Sequence, residues 1–373
     1  MAAGDNALPK VGLRRNAEGA QMKVPSECAP YGKFAGGVLE WYSDKEQKMN
    51  IAEIAKMAGV SSAAVSRYFN QGYVSEEKRE AIRKVIEETG YRPSVQAQML
   101  RTKKTKMIGV IVPKLASEPI SRVVEGILSV LNESGYQMLL AVTQNDPHKE
   151  VEYLKTFDRK QVDGVIFSGT VFWKEHERAL KAMKVPVIIV GQQLSGYCCV
   201  YHDDYHSIYD MTSRFLKSGR KNVVYLSAVH EDRAVGLERC RGFLDALRDA
   251  GVENAEGNFL ISPFSETGSY EKTADLLKKD GNIDGLICAT DRMAAGAVKC
   301  LRDQGIVVPD QVQVAGHGDS LLARILQPPL LTVHYFYEKC GSMACEMLLN
   351  RIEGKDTEIK EIKLGYEIVD YNF

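Results

Sequence analysis

The sequence predicts a chain in two parts: a small all-α headpiece, then a large α/β core of two doubly wound parallel-sheet subdomains. Three observations predict it. Residues 51–90 hold three short stretches of helical apolar spacing, punctuated by Gly59, Gly72 and Gly90. From Met107 onward, short apolar runs alternate with amphipathic stretches, the pattern of strands and covering helices. Charge is also divided unevenly. Residues 49–106 carry 11 Lys and Arg against 6 Asp and Glu, whereas residues 107–373 carry 30 against 37. A basic segment attracts polyanions, so nucleic acid is the first partner to consider for the headpiece.

Composition sets outer bounds. At 373 residues, 45% hydrophobic and 26% charged, the chain is globular and is neither collagen-like nor a disulfide scaffold. No apolar run nears the ~20 residues that span a bilayer. No basic-then-apolar signal opens the N-terminus, so the expected compartment is the cytoplasm. The eight cysteines are scattered, with one vicinal pair (Cys198, Cys199) and no C-x-x-C, which reads as free thiols in a reducing compartment. No cofactor or metal is implied.

Residues 1–48 are rich in Gly, Pro and Ala and keep no helical or strand period, with Trp41 and Tyr42 as stray aromatics. They read as a disordered tail, or as an extension upstream of a start at Met49. The codons of Lys45-Glu46 can spell a ribosome-binding sequence two codons before that methionine. No function is assigned to them.

The headpiece spans residues 49–93. Ile51, Ile54, Ala55 and Ala58 share one helical face that ends at Gly59, a residue free to take the left-handed conformation of a tight turn. Val60 plugs the turn, and Ser61 caps a second helix, 62–69, whose inward positions are Val65 and Phe69. Asn70-Gln71-Gly72 ends it. Ser75 caps a third helix with Glu76 and Glu77 in its first turn, Ile82, Val85 and Ile86 on its apolar face, and Gly90 as its stop. This is a helix-turn-helix, whose second helix enters the DNA major groove. The plain alternative is a three-helix cap without a ligand.

The string Ile51-Ala-Glu-Ile-Ala-Lys-Met-Ala-Gly-Val-Ser-Ser-Ala-Ala-Val-Ser-Arg-Tyr-Phe-Asn70 closely resembles the headpiece of the lactose/galactose-repressor family of bacterial transcriptional regulators. Tyr91-Arg-Pro93-Ser-Val-Gln-Ala97-Gln-Met-Leu100 looks like the hinge of that family, and the resemblance runs over about 50–369. It implies that Ser62, Ala63, Ser66, Arg67, Asn70, Tyr91, Ala97 and Leu100 meet DNA. On the front of the second helix, Arg67 is the candidate for guanine readout, because a guanidinium can pair with O6 and N7 together. A phosphate contact is its alternative. Ala63 offers only a methyl where many relatives carry a larger polar group. In the family, the hinge (residues 94–106 here) folds when two protomers sit side by side on DNA, and the leucine matching Leu100 wedges into the minor groove. By composition alone Leu100 would be a packing residue. Arg101, Lys103, Lys104 and Lys106 follow as a flexible basic tether for phosphates.

The core, 107–373, offers strand candidates at 107–112, 137–142, 164–167, 187–190, 223–226, 285–289, 312–315 and 331–334, with helical stretches between most of them. That length exceeds what one sheet usually holds, so two open sheets are expected, with a ligand crevice at their strand carboxyl ends. This is the periplasmic-binding-protein-like architecture, which the resemblance also implies. By that analogy the chain crosses between subdomains near His202, His334 and Gly365.

The resemblance points to effector residues in the crevice. Arg239, in the R-x-x-G-aromatic pattern of Arg239, Gly242 and Phe243, is the expected anchor for sugar hydroxyls, with a structural ion pair as its alternative. Thr290 and Asp291 occupy an A-N-D motif with Thr for Asn. In His317-Gly318-Asp319-Ser320, Gly318 lacks a carboxylate that many relatives use, and Asp319 is the candidate to replace it. Tyr337, Phe264 and Trp173 are candidate sugar-stacking aromatics, although such residues are more often core than ligand contacts. Short strings such as Gly191-Gln192-Gln193 and Leu364-Gly-Tyr-Glu-Ile-Val369 look closest to Gram-positive sucrose-operon repressors. The expected partners are therefore a palindromic double-stranded operator, a second copy of the chain, and a small sugar such as sucrose or a fructose derivative. Two readings compete: a plain solute-binding protein, and an esterase using Gly318-Asp319-Ser320-Leu321 with Ser320 as nucleophile. The esterase reading lacks a later D-x-x-H, since Asp203-Asp204-Tyr205-His206 lies upstream.

Overall fold

The computed structural model describes residues 49–371, except Gln71, residues 92–103, 160–161, Thr170, residues 228–231, 253–254 and Asp280. The proposed tail at 1–48, and with it Ala97, Leu100, Arg101 and Lys103, lies outside the described residues. The chain divides into two compact units between residues 94 and 95.

The first unit is three helices: α1 (Ile51–Met57), α2 (Ser62–Phe69) and α3 (Glu76–Thr89). Each begins where a side chain can replace a missing helical acceptor. Asn50 accepts from Ala52 and Glu53 backbone N–H, while the Glu53 carboxylate accepts from Asn50 N, a reciprocal capping box. Ser61 Oγ accepts from Ala64 N at 3.2 Å. Ser75 sits at the start of α3, but its side chain makes no capping bond, so Glu76 and Glu77 alone favour that terminus. Gly90 closes α3 at φ 64°. Ile54, Ala55, Val65, Val74, Ile82 and Val85 form the core, with Val60, Phe69, Ile86 and Tyr91 packed around it. On α2 the fully inward residues are Ala64 and Val65, whereas Phe69 is only partly buried.

The second unit holds two six-stranded sheets. Sheet 1 runs β11 (Glu361–Leu364), β5 (Cys198–His202), β4 (Val187–Val190), β3 (Gly164–Phe167), β1 (Met107–Val112), β2 (Gln137–Val142), all parallel. Sheet 2 runs β12 (Tyr366–Asp370), β10 (Leu331–Tyr335), β9 (Gln313–Ala315), β8 (Gly285–Cys288), β6 (Val223–Ser227), β7 (Phe259–Ile261). Only β12 is antiparallel to its neighbour. The chain passes from sheet 1 to sheet 2 after His202, returns after Tyr335, and passes again at Gly365. All three passages leave strand carboxyl ends, so the carboxyl ends of both sheets face the junction. This also explains β12: a strand that begins at the junction must run opposite to β10, which ends there.

Four strands escape the apolar-run reading. β7 has three residues, and β11 and β12 lie on sheet edges, β11 alternating in exposure and β12 only partly buried along its length. A strand buried on both faces reads as a continuous apolar run, and an edge strand does not. β5 is interior, but Val200 is its one aliphatic residue, so it lacks the aliphatic run that marks its neighbours β4 and β3.

The expected basic tether ends earlier than Lys106. Thr105 N and Lys106 N donate to the Asp163 carboxylate at 2.7 and 2.9 Å, and Lys106 Nζ lies 4.1 Å from the centre of the Tyr136 ring. Residues 105–106 are thus anchored on the core.

Helices α4 (Glu118–Ser134), α5 (Pro147–Asp158) and α6 (Lys174–Ala182) belong to the first subdomain, and α12 (Tyr337–Ile352) returns to pack along α4. Helices α7 (Asp204–Lys217), α8 (Arg239–Asp249), α9 (Glu266–Lys279), α10 (Asp291–Asp303) and the short α11 (Leu321–Ile325) belong to the second. A π-turn, Arg233–Glu238, leads into α8. Glycine sets the α7–α8 approach: a Cβ on Gly242 would come within 2.2 Å of Tyr205 O. The glycine of the R-x-x-G pattern therefore lets α8 lie against the first turn of α7.

Candidate functional site

On the headpiece, Ser62, Ala63 and Arg67 are exposed on the front of α2 and Ser66 is half-buried. Arg67 Nε donates to Ala63 O at 3.3 Å, which lays the guanidinium along the helix surface. Asn70 ends α2, and its amide donates back to Ser66 O. Tyr91 packs against Phe69, ring centres 5.9 Å apart, and burial pushes its phenol pKa up. Its ring thus serves the headpiece core.

In the second unit, the close α7–α8 approach brings Arg239 to Asp204, the first residue of α7. Arg239 Nε and Nη2 each lie 2.7 Å from Asp204 Oδ1, and Nη1 donates to Ala289 O at 2.8 Å. Its Cζ stands 5.1 Å from the centre of the Tyr335 ring. Arg239 and Asp204 are 6% exposed each, so this is a buried ion pair, the structural alternative raised for Arg239. Around it lie His202, whose ring is 5.0 Å from Tyr335 and 5.2 Å from Tyr337, and His317, 6.4 Å from Tyr335. Arg122 of α4 reaches in from the first subdomain, its Cζ 5.9 Å from the Tyr337 ring. The junction is thus lined by two arginines, two histidines and two tyrosines.

The other expected effector residues divide. Tyr337 belongs to this cluster. Thr290 caps α10, accepting from Met293 N at 3.2 Å. Asp291 is buried, with its carboxylate accepting from Thr332 Oγ1 at 2.6 Å and Ser320 N at 2.7 Å; burial raises its pKa to about 6. Asp319 is held by His334 Nδ1 at 2.8 Å, Arg324 Nη2 at 3.0 Å and the Tyr371 hydroxyl. Those partners tie it to β10 and the C-terminal segment, so as a replacement for the carboxylate missing at Gly318 it is already committed. Trp173 and Phe264 are partly exposed rather than core. Trp173 leads into α6, packed edge-on against His148 and His176.

Sequence reasoning missed Asp204, Arg122, His202, His317 and Tyr335. The signal for Asp204 lay in Asp203-Asp204-Tyr205-His206: Asp203 caps α7 and binds His206 Nδ1 at 2.9 Å, leaving Asp204 to point inward. Ser320 lies against the Asp291 carboxylate, which accepts from its backbone N–H at 2.7 Å, and no histidine hydrogen-bonds its hydroxyl. Among the described residues no group of three His, Cys, Asp or Glu could hold a metal, and no helix is long and apolar enough to cross a membrane.

Comparison with known proteins bears on both units. Residues 50–94 match the bacterial regulatory proteins of the lacI family, and residues 212–370 match the periplasmic binding protein-like domain. The sucrose operon repressor of Staphylococcus xylosus is 30% identical over 304 residues, covering 82% of this chain and 94% of that protein. A transcriptional regulator CelR–cellobiose complex superposes with a TM-score of 0.67 at 26% identity, covering 86% of this chain and 98% of that one. The lac repressor dimer bound to operator and the anti-inducer ONPF superposes with a TM-score of 0.78 and the same coverage; at 20% identity it shows the fold.

A helix-turn-helix followed by two such sheets defines a DNA-binding transcriptional regulator, not an enzyme. The chain belongs to the LacI family of bacterial regulatory proteins. The esterase reading of Gly318-Asp319-Ser320-Leu321 is thereby corrected: that segment is the turn into α11.

Proposed function

We propose that the protein is a homodimeric repressor of a carbohydrate-utilisation operon, tuned on a palindromic operator by a small sugar, with sucrose or a fructose derivative the first choice. One observation carries the reading. The exposed front of α2 shares a chain with a two-sheet core whose strand carboxyl ends meet over a buried polar junction. Two headpieces on one palindrome are required because a single short helix buries too little surface for tight specific binding. The Staphylococcus sucrose operon repressor and the cellobiose complex support a sugar as effector.

Ser62, Ala63, Ser66, Arg67 and Asn70 form the reading face, with Ala97 and Leu100 supplying the hinge. The effector sits at the junction beside Tyr337 and the Arg239–Asp204 pair, with Trp173 and Phe264 as stacking surfaces on its approaches. Thr290, Asp291 and Asp319 shape that floor through their bonds to α10 and β10. The mechanism is linkage: a ligand that binds one arrangement of the subdomains better shifts the population toward it, and with it the affinity for DNA. Such a protein works in the cytoplasm, where its operator is.

The test is fluorescence-anisotropy binding to the inverted repeat nearest its own gene, with and without millimolar sucrose. Salt is held fixed because phosphate contacts make any affinity salt-dependent. Tight binding weakened by sucrose establishes regulator and effector together. Tight binding indifferent to sucrose keeps the regulator and rejects sucrose. Binding no tighter than to scrambled DNA, on a full promoter fragment, rejects operator recognition.

A further inference from the structure

Seven buried side-chain nitrogen or oxygen atoms among the described residues have no hydrogen-bond partner, and three of them lie around the Tyr335–Tyr337 pair at the subdomain junction: Arg122 Nη1, His202 Nε2 and His317 Nε2. Buried polar atoms are normally satisfied, so their concentration at one place points to a missing partner. Ring contacts link the three. Arg122 lies over Tyr337, Tyr337 meets His202 and Tyr335, and Tyr335 meets His317.

The protonation of the two imidazoles defines what can fill the gap. His317 Nδ1 lies 3.0 Å from Cys288 O. A carbonyl only accepts, so Nδ1 carries the proton and Nε2 presents a lone pair. His202 Nε2 is likewise buried without a hydrogen-bond partner, and a neutral ring can present its lone pair there. Burial keeps both rings neutral, His202 near a pKa of about 4 and His317 near about 3, with the Arg239 charge acting in the same direction on each. Two acceptors therefore face a missing donor, beside a guanidinium nitrogen that wants an acceptor. A hydroxyl serves both kinds of partner. A phosphate group at neutral pH offers acceptors only: it could serve Arg122 but not the two bare nitrogens, and the Arg239 charge is already spent on Asp204.

We infer that the effector is an uncharged, hydroxyl-rich molecule that donates hydrogen bonds to the bare Nε2 atoms of His202 and His317, and that phosphorylation of the same molecule weakens its binding. This rests on the sugar-effector reading above and decides between free sugars and their phosphate esters. An ordered water is the competing occupant of the two sites.

The experiment is calorimetric titration of the full chain with sucrose and sucrose 6-phosphate, fructose and fructose 1-phosphate, and glucose and glucose 6-phosphate. The titrations are repeated on His202→Asn and His317→Asn. Asparagine keeps a donor near the Nδ1 position and deletes Nε2, and near-ultraviolet circular dichroism checks each variant's fold. The expected result is binding by at least one uncharged sugar, its ester weaker, and each variant weakened about tenfold, as for one unpaired hydrogen bond. Three results overturn the inference: an ester binding more tightly than its parent sugar, no binding by any uncharged sugar at millimolar concentration, or both folded variants binding as the parent does, which leaves water in the two sites. If a variant does not fold, the sugar-and-ester pairs on the parent chain still decide. Loss of operator recognition in the anisotropy assay is a separate failure, of the regulator reading, and leaves the ligand titrations standing.

Discussion

The headpiece and the subdomain junction are both organised by polar groups, but on opposite terms. In the headpiece the partners are three or four residues apart and exposed: Asn50 with Glu53, Ser61 with Ala64, Arg83 with Glu80 and Glu87. At the junction they are distant in sequence and buried. Arg239 reaches Asp204 across 35 positions, Thr332 reaches Asp291 across 41, and the Tyr335 hydroxyl stands 3.4 Å from Asp204 across 131. Exposed local pairs each contribute little and are screened by salt, whereas a buried pair matters most when half of it is removed. The same chemistry therefore has a small effect in one region and a large one in the other.

The sharpest way to break that contrast is Arg239→Ala. It strands the Asp204 carboxylate in the core and is expected to cost about 3–5 kcal/mol, read by urea unfolding of the core. A loss below about 1 kcal/mol would mean that water reaches Asp204 and that the two regions do not differ as described.

Acid comes next. His202 and His317, held at about 4 and about 3 by burial, titrate near 6.5 when unfolded. Below pH 6.5 the unfolded chain binds the additional protons, so stability falls as pH drops from 6.5 toward 4, by up to about 1.4 kcal/mol per unit for each ring. Asp291 opposes this between about pH 6 and 4, because the folded carboxyl takes its proton before the unfolded one does. Two groups against one leave a net loss. Urea unfolding at pH 7 and pH 5 should show it, and His317→Asn should recover about 2 kcal/mol of the difference. An unchanged pH dependence in that variant would place His317 in contact with solvent.

Arg67→Ala tests the exposed side of the comparison. It should reduce discrimination between operator and scrambled DNA by about 1–3 kcal/mol while bulk DNA affinity changes less, whereas Lys103→Ala should weaken all DNA alike. Equal losses on both probes would make Arg67 a phosphate contact. The smallest effect is expected from Asn50→Ala, about 1 kcal/mol from the lost cap, visible as a lower melting temperature of the headpiece helices by circular dichroism. A cost matching that of Arg239→Ala would erase the distinction between local and long-range pairing.

What could be read from the residues follows the same division. Helices α1 to α3, their stops at Gly59 and Gly90, and the central strands of both sheets except β5 were legible because each depends on spacing, capping or continuous apolar runs within one segment. The edge strands β11 and β12 were not, because neither is buried enough to carry a continuous apolar run. Ser62, Ala63 and Arg67 stand exposed on α2 because helical periodicity alone sets their direction.

Arg239 was found as a residue, with an ion pair left open as its alternative: the R-x-x-G pattern marks where α8 approaches α7 but cannot say that Asp204 waits there. His202 and His317 carried no signal at all, since a histidine's role depends on what each ring nitrogen meets. Local periodicity and composition were enough for the two-part architecture and the reading helix, and the resemblance of residues 51–70 and 91–100 was enough for the family. Which charges cancel and which nitrogens stay bare depended on the folded core, because burial and partner geometry exist only once distant segments have met at the junction.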